Sequence, residues 1–146
     1  SQHVTVHTNE EPDFDYMENG DVAFVVKNPH NDEDLLIELG GEFSLFFGLW
    51  HGQYKPEEQD YDRMKQDIAA LLAGNAGVLS LYADGRWQGS ALCPEKVSAD
   101  ADMEKLLERC WQKQEPKEKL LAQGGRGELL YWDPAENKSF MIPAKN

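Results

Sequence analysis

The chain has 146 residues, of which 40% are hydrophobic and 10% aromatic, and its formal net charge is −13 at pH 7. A chain of this length buries roughly 70% of the surface that it exposes when unfolded, which predicts a single globular domain over residues 1–146. No apolar run approaches the roughly 18 residues of a membrane-spanning helix, and an acidic chain repels nucleic acid and anionic lipid. The sequence therefore argues against a membrane protein and against a nucleic-acid-binding protein.

The negative charge is concentrated in the first half of the chain. Residues 1–73 contain four Lys or Arg and 16 Asp or Glu, a net charge of −12, whereas residues 74–146 carry a net charge of −1. Such a field attracts basic proteins or divalent cations. The alternative is that the acidity serves only solubility.

The N-terminal segment and the cysteines indicate a cytoplasmic protein. Residues 3–16 are polar and acidic, whereas a secretory signal is basic and then apolar. Cys93 ends a predicted strand, and Cys110 lies on the apolar face of a predicted helix. Without a secretion signal, we expect two buried free thiols rather than a disulfide.

The first predicted elements are two short strands. Alternating valines indicate a strand at 4–7, and β-branched and aromatic residues indicate another at 21–27. Between them, residues 9–20 form an acidic loop whose carboxylates lack the spacing of an EF-hand. A turn at 28–32 follows the second strand.

Residues 34–54 are the centre of the predicted sheet and read DLLIELGGEFSLFFGLWHGQY. Their period of two predicts two strands that carry large apolar residues on both faces. Gly40 and Gly41 accept the positive φ of a two-residue hairpin turn, and such a turn would place Leu39 opposite Glu42. We therefore expect a central hairpin that is covered on both sides.

Two helical regions are predicted. In the first, over 57–73, acidic residues precede apolar residues that recur at spacings of three and four, and Gly74 is suited to end the helix. The second covers 100–123, where Asp100 is expected to begin a helix. Pro116 is expected to interrupt this helix and could open a short second one that ends at Gly124 and Gly125.

Two further hairpins are predicted in the second half of the chain. The first covers 77–93, with a turn signal at Asp84 and Gly85. The second covers 127–142. The preceding GGRG sequence at 124–127 lacks the Lys-Ser or Lys-Thr of a phosphate-binding loop, so we interpret it as a helix cap followed by the start of a strand.

These elements predict an α+β fold. We expect a mostly antiparallel sheet of about six to eight strands, formed by the β-hairpins near 21–54, 77–93 and 127–142. The helix near 57–73 and the helical region near 100–123 would pack on this sheet.

His51 is the best candidate for acid/base chemistry. It lies between Trp50 and Gly52 at the end of the central stretch, where it could transfer protons or bind a metal, or could simply pack on the aromatic residues. The candidate oxygen ligands for such a metal are Glu38, Glu42, Asp60 and Asp62. Because the chain contains no HExxH, CxxC, HxH or GxSxG motif, we assign no catalytic residue, no metal site and no cofactor.

An aromatic cluster with an acidic rim is the candidate binding surface. Trp50 is expected to be partly exposed, and the centres of protein interfaces favour Trp and Tyr while surrounding charges guide encounter. The predicted surface consists of Trp50, His51, Tyr54, Glu57, Glu58, Asp60 and Asp62.

Two functions follow as hypotheses. The preferred one is a non-enzymatic interaction domain that binds a basic protein; the alternative is a small metal-assisted hydrolase or acid/base enzyme that uses His51 with nearby carboxylates. No motif identifies a family. The chain is similar in style to small acidic bacterial α+β domains, some of which neutralise basic toxins, and this similarity implies an inhibitor or immunity-like role.

Overall fold

A computed structural model describes residues 3–111 and 114–145. In this part of the chain, nine strands form two antiparallel sheets, of five and four strands, accompanied by three α-helices. The α+β class with antiparallel sheets is confirmed. No helix among these residues is both long and apolar enough to cross a membrane. The chain divides into two compact units, residues 1–69 and residues 70–146, which we call the first and the second unit.

The first unit contains a five-stranded meander in which each strand pairs with the next along the chain. All but the first of the connections between consecutive strands are short, which favours this antiparallel order. The strands are β1 (Val4–His7), β2 (Val22–Val26), β3 (Leu35–Leu39), β4 (Phe43–Phe47) and β5 (Trp50–Tyr54). Helix α1 (Glu58–Ala73) follows, close to its predicted bounds, and its last four residues belong to the second unit.

The turn between β3 and β4 differs from the two-residue turn that we expected. Leu39 pairs with Phe43 rather than Glu42, and Ile37 pairs with Leu45. Three residues therefore form the loop, in which the Gly40 N–H donates a hydrogen bond to the Glu42 carbonyl at 3.2 Å. The predicted register was wrong by one residue, because the observed register places apolar residues opposite each other on one face.

Both faces of this sheet are covered in part. On one face, Leu45 and Tyr54 pack with Met64 of α1 in a buried cluster. On the other face, the segment 8–21, which includes a 3₁₀ turn at Pro12–Phe14, folds over the first strands. His7 stacks on Phe14 with ring centroids 4.4 Å apart. The sequence predicted a central hairpin covered on both sides; the second cover lies over the first strands, and the sequence did not predict that the acidic loop provides it.

The second unit contains a four-stranded sheet in the order β7-β6-β8-β9. The strands are β6 (Gly77–Ala83), β7 (Arg86–Cys93), β8 (Gly125–Leu130) and β9 (Lys138–Ile142). Both predicted hairpins are present, and the turn between β6 and β7 contains Asp84 and Gly85 with φ of 52° and 72°, as a tight hairpin turn requires. Strand β6 pairs with both β7 and β8 and is therefore interior.

Two helices cover one face of this sheet. Helices α2 (Met103–Cys110) and α3 (Gln114–Gln123) contribute Leu106, Leu107 and Leu120 to a core that includes Leu79 and Leu129 of the strands. Two glycines of β8 leave room for neighbouring side chains. A Cβ at Gly125 would lie 2.3 Å from Leu120, and a Cβ at Gly127 would lie 2.2 Å from the Phe140 ring.

The predicted boundaries within the helical region need two corrections. Asp102, rather than Asp100, is the N-cap of α2, because its carboxylate accepts hydrogen bonds from the Glu104 and Lys105 N–H groups. The first helix ends before Pro116 is reached, and the short second helix that we expected at Pro116 is present. Helix α2 ends at Cys110, and Pro116 lies in the first turn of α3, where no intrahelical N–H is required; residues 112 and 113 lie outside the described part of the chain.

Candidate functional site: an acidic cleft at the β3–β4 turn

The aromatic residues of the predicted binding surface are divided between the two faces of β5. Strand side chains alternate, so Trp50 and Tyr54 share the face that packs on α1, whereas His51 points to the opposite face. Trp50 is half-buried, Tyr54 is only 3% exposed, and His51 is exposed. The three residues therefore do not form one aromatic patch, because only Trp50 and Tyr54 share a face.

His51 packs on an aromatic neighbour. It pairs with Phe46 across the sheet, and the two rings stack with centroids 5.7 Å apart. Among the described residues, no hydrogen bond or ion pair to the His51 side chain is present, and no group of three or more His, Cys, Asp or Glu could hold a metal ion. This placement does not supply the carboxylate partner that acid/base chemistry at His51 would require.

Tyr54 attaches β5 to α1. Its hydroxyl donates a hydrogen bond of 2.6 Å to the Asp67 carboxylate, and the Arg63 guanidinium lies 4.5 Å from the centre of its ring. Burial, together with the bond to Asp67, raises the pKa of Tyr54. Tyr54 therefore has a structural position in the core of the first unit.

The carboxylates at the start of α1 are exposed, apart from the half-buried Asp60, and two of them are paired. Asp60 accepts a hydrogen bond from the Lys55 N–H at 2.8 Å and lies 3.6 Å from Arg63. Asp62 lies 3.3 Å from Lys65. Within the described part of the chain, Glu57 and Glu58 form no ion pair, and they extend the acidic surface at the positive end of the helix.

A more strongly acidic concavity lies at the turn between β3 and β4. The short loop and the segment at residues 16–21 enclose a cleft of 310 Å³. Four of its lining residues are carboxylates, and none of the described residues that line it is Lys or Arg. The lining residues are Tyr16, Met17, Glu18, Asp21, Glu38, Leu39, Gly40, Gly41, Glu42 and Ser44.

Two contacts order the walls of this acidic cleft. The Tyr16 hydroxyl donates a hydrogen bond of 2.5 Å to Glu38 on β3. Although 60% of Tyr16 is exposed, partial burial of its hydroxyl and the bond to Glu38 raise its pKa to about 12. Asp21 accepts a hydrogen bond from the Glu18 N–H at 3.2 Å, and a Cβ at Gly40 would lie 2.7 Å from the Asp21 carboxylate. A glycine at position 40 thus leaves room for this carboxylate.

Among the described residues, no neighbouring cation balances the charge of the cleft. In the first unit, Lys27 pairs with Asp34 at 2.9 Å, and Arg63 and Lys65 pair with carboxylates at the start of α1. Over residues 3–111 and 114–145, no ion pair reaches the cleft carboxylates Glu18, Asp21, Glu38 and Glu42. Their field is therefore available to a cationic partner.

An apolar groove adjoins the acidic cleft. It has a volume of 440 Å³, and Val22, Phe24 and Phe43 contribute to its lining. The groove and the cleft share Asp21, Leu39 and Gly40. Beside it, Val4 and Val6 of β1 are 46% and 59% exposed. The surface at this turn thus combines uncompensated negative charge with exposed apolar area.

The acidic cleft was not among the residues that we predicted as a binding surface. A partial signal was present in the sequence, since the loop at 9–20 is acidic and Glu38 and Glu42 flank the predicted turn. The contact between Tyr16 and Glu38, 22 residues apart, has no local signature. Comparisons of the chain with protein-family models, with curated proteins and with solved structures find no match, so the geometry alone supports a functional proposal.

Proposed function

We propose that this chain is a non-enzymatic protein-interaction module whose first unit binds a basic protein partner, in the manner of an inhibitor or immunity-like protein. The observation that carries the proposal is the cleft at the β3–β4 turn, where four carboxylates lack cationic partners among the described residues. In this proposal the protein acts in the cytoplasm.

The cleft and the neighbouring groove have complementary roles in such binding. Uncompensated carboxylates accelerate encounter with a basic protein and select against acidic ones. Buried apolar area then supplies much of the affinity, because exposed side chains such as Val6 and the half-buried Phe24 lose contact with water. The acidic residues predicted at the start of α1 would extend this surface. They adjoin the groove because Phe43, which lines the groove, packs edge-on against Tyr61 of α1 with ring centroids 5.7 Å apart.

The experiment compares two double variants with the same change in net charge. Immobilised protein captures partners from a cell extract, and each captured protein is purified and titrated against the wild type, Glu38→Gln/Glu42→Gln and Glu57→Gln/Glu58→Gln. We expect a basic partner whose affinity falls at least about tenfold for the cleft variant and less for the α1 variant. Binding should also weaken as salt rises from about 0.05 M to 0.5 M.

Two results would change this interpretation. A larger loss in the Glu57→Gln/Glu58→Gln variant would move the binding surface to the start of α1, where the sequence predicted it. Capture of only acidic or neutral proteins, or binding that neither variant weakens, would contradict an electrostatic role for the first unit.

A further inference from the structure

The two cysteines of the chain lie in direct contact within the second unit. Cys93 is the last residue of β7, and Cys110 is the last residue of α2. Both are free and buried, and their Sγ atoms are 2.8 Å apart. A disulfide has a sulfur–sulfur distance of about 2.05 Å, so a small displacement of the side chains would allow bond formation.

Neighbouring contacts hold the segments that carry these thiols. The Arg109 guanidinium donates two hydrogen bonds to the Glu95 carboxylate, at 2.6 and 3.0 Å. The Tyr131 hydroxyl donates to the Glu95 carbonyl at 3.1 Å and accepts from the Val97 N–H at 3.0 Å. The segment after β7 is therefore fixed against the end of α2, and the two sulfur atoms are held together in the folded state.

The two thiols are not equivalent. The hydrogen bond from the Cys93 thiol stabilises the Cys110 thiolate and lowers the pKa of Cys110. The same bond and burial raise the pKa of Cys93. Cys110 is 5% exposed, whereas Cys93 is 0% exposed. Because the thiolate is the nucleophile in thiol oxidation, the more accessible Cys110 would react first, and the fully buried Cys93 would be the resolving thiol.

We propose that Cys93 and Cys110 form a reversible dithiol–disulfide pair that is oxidised by small peroxides, a property separate from partner binding by the first unit. The Cys110 thiolate attacks one oxygen of hydrogen peroxide, the O–O bond breaks, and the departing hydroxide takes a proton and leaves as water. Cys110 is then a sulfenic acid. The Cys93 sulfur attacks the Cys110 sulfur, the S–O bond breaks, and the proton of Cys93 leaves with the hydroxide as a second water.

The net reaction transfers two electrons from the two thiols to the peroxide and yields one disulfide and two water molecules. Hydrogen peroxide is small, which suits a buried residue that is 5% exposed. The bond would connect β7 to α2 across a sequence separation of 17 residues. Such a cross-link restricts the unfolded chain, so we expect oxidation to raise the melting temperature by roughly 10 °C.

The test uses the folded full-length protein and hydrogen peroxide as the probe. After oxidation the protein is denatured, remaining thiols are alkylated, and the intact mass and the peptide linking residues 93 and 110 are measured. We expect the loss of two hydrogens, no alkylation, a monomer on a non-reducing gel and recovery of both thiols with dithiothreitol.

Two single variants assign the roles of the thiols. Cys93→Ser should accumulate a sulfenic acid at Cys110 that a dimedone probe traps, whereas Cys110→Ser should react much more slowly. If a variant fails to fold, the linked peptide from the wild type still decides the question. Two alkylatable thiols after peroxide treatment, or an intermolecular disulfide only, would overturn the proposal.

Discussion

At the scale of single residues, Tyr16 shows how the acidic cleft is held together. The residue is 60% exposed, yet its hydroxyl donates a hydrogen bond to Glu38 at 2.5 Å. The neutral hydroxyl can donate this bond, whereas a tyrosinate would place a second negative charge beside the carboxylate. The contact therefore depends on the protonation of Tyr16, which links the segment at residues 16–21 to β3.

The pH dependence of this contact is a testable consequence. Because the folded-state pKa of Tyr16 is raised to about 12 from its ordinary value of 10.0, the stability that the contact contributes is complete below about pH 10 and is lost as pH passes about 12. Ultraviolet absorbance of tyrosinate should show several late transitions, because the pKa values of Tyr54 and Tyr131 are also raised, and the transition near pH 12 should disappear in Tyr16→Phe. In Glu38→Gln the Tyr16 transition should move toward pH 10. An unchanged transition would show that the hydrogen bond to Glu38 does not raise the pKa of Tyr16.

Single residues also show where the sequence could not predict the site. Trp50, His51 and Tyr54 are close in the chain and were grouped as one surface. They lie within β5, and the alternation of a strand sends His51 to the other face. Residues that are adjacent in sequence are expected to share a surface where the backbone turns. Here the strand continues for four residues beyond Trp50, so adjacent side chains alternate between its two faces.

At the scale of elements, hydrophobic periodicity located the helices and strands but not their exact ends or pairing. The period of two marked β3 and β4, while a one-residue error in the turn reversed which side chains were expected to share a face. Loop length decides this register, and two adjacent glycines are compatible with loops of two or three residues. The pairing of Leu39 with Phe43 follows from burial on α1, which is a tertiary effect.

The N-cap of α2 provides a prediction about element stability. Asp102 accepts hydrogen bonds from two backbone N–H groups, at 3.0 and 3.3 Å. Replacing Asp102 by Ala should therefore lower the free energy of unfolding by about 1 kcal/mol. Chemical denaturation, monitored by a probe in the second unit, measures this loss.

Asp100→Ala is the matched control for this variant. Asp100 is exposed, lies two residues earlier, and forms no side-chain hydrogen bond with the described residues, so its replacement should change stability by less than about 0.5 kcal/mol. The two substitutions alter the net charge equally. Equal destabilisation by both would mean that charge near the helix start, rather than the cap, stabilises α2.

At the scale of the whole molecule, pairing between distant strands was beyond the reach of sequence patterns. Each hairpin was predicted from its own turn signal. Strand β6 also pairs with β8, although β7, α2 and α3 lie between these two strands in the sequence. Nothing in the local sequence specifies that pairing, because it is decided by which faces α2 and α3 bury. The same reasoning explains why one sheet was expected and two were found.

The uneven charge of the chain coincides with the two units. The first unit carries a net charge of −12 and the second a net charge of −1. Like charges within a folded unit repel each other, and salt screens that repulsion. Salt should therefore stabilise the first unit more than the second, although it also weakens the ion pairs of the first unit.

Hydrogen exchange resolves this effect for each unit in one sample. When sodium chloride is raised from about 0.05 M to 0.5 M at constant pH, protection of backbone amides in β2, β3 and β4 should increase more than protection in β6 and β8. The second unit serves as the internal control for effects of salt that are independent of charge. Equal changes in both sheets, or greater protection gained by the second, would show that the acidic residues of the first unit are far enough apart for their repulsion to be negligible.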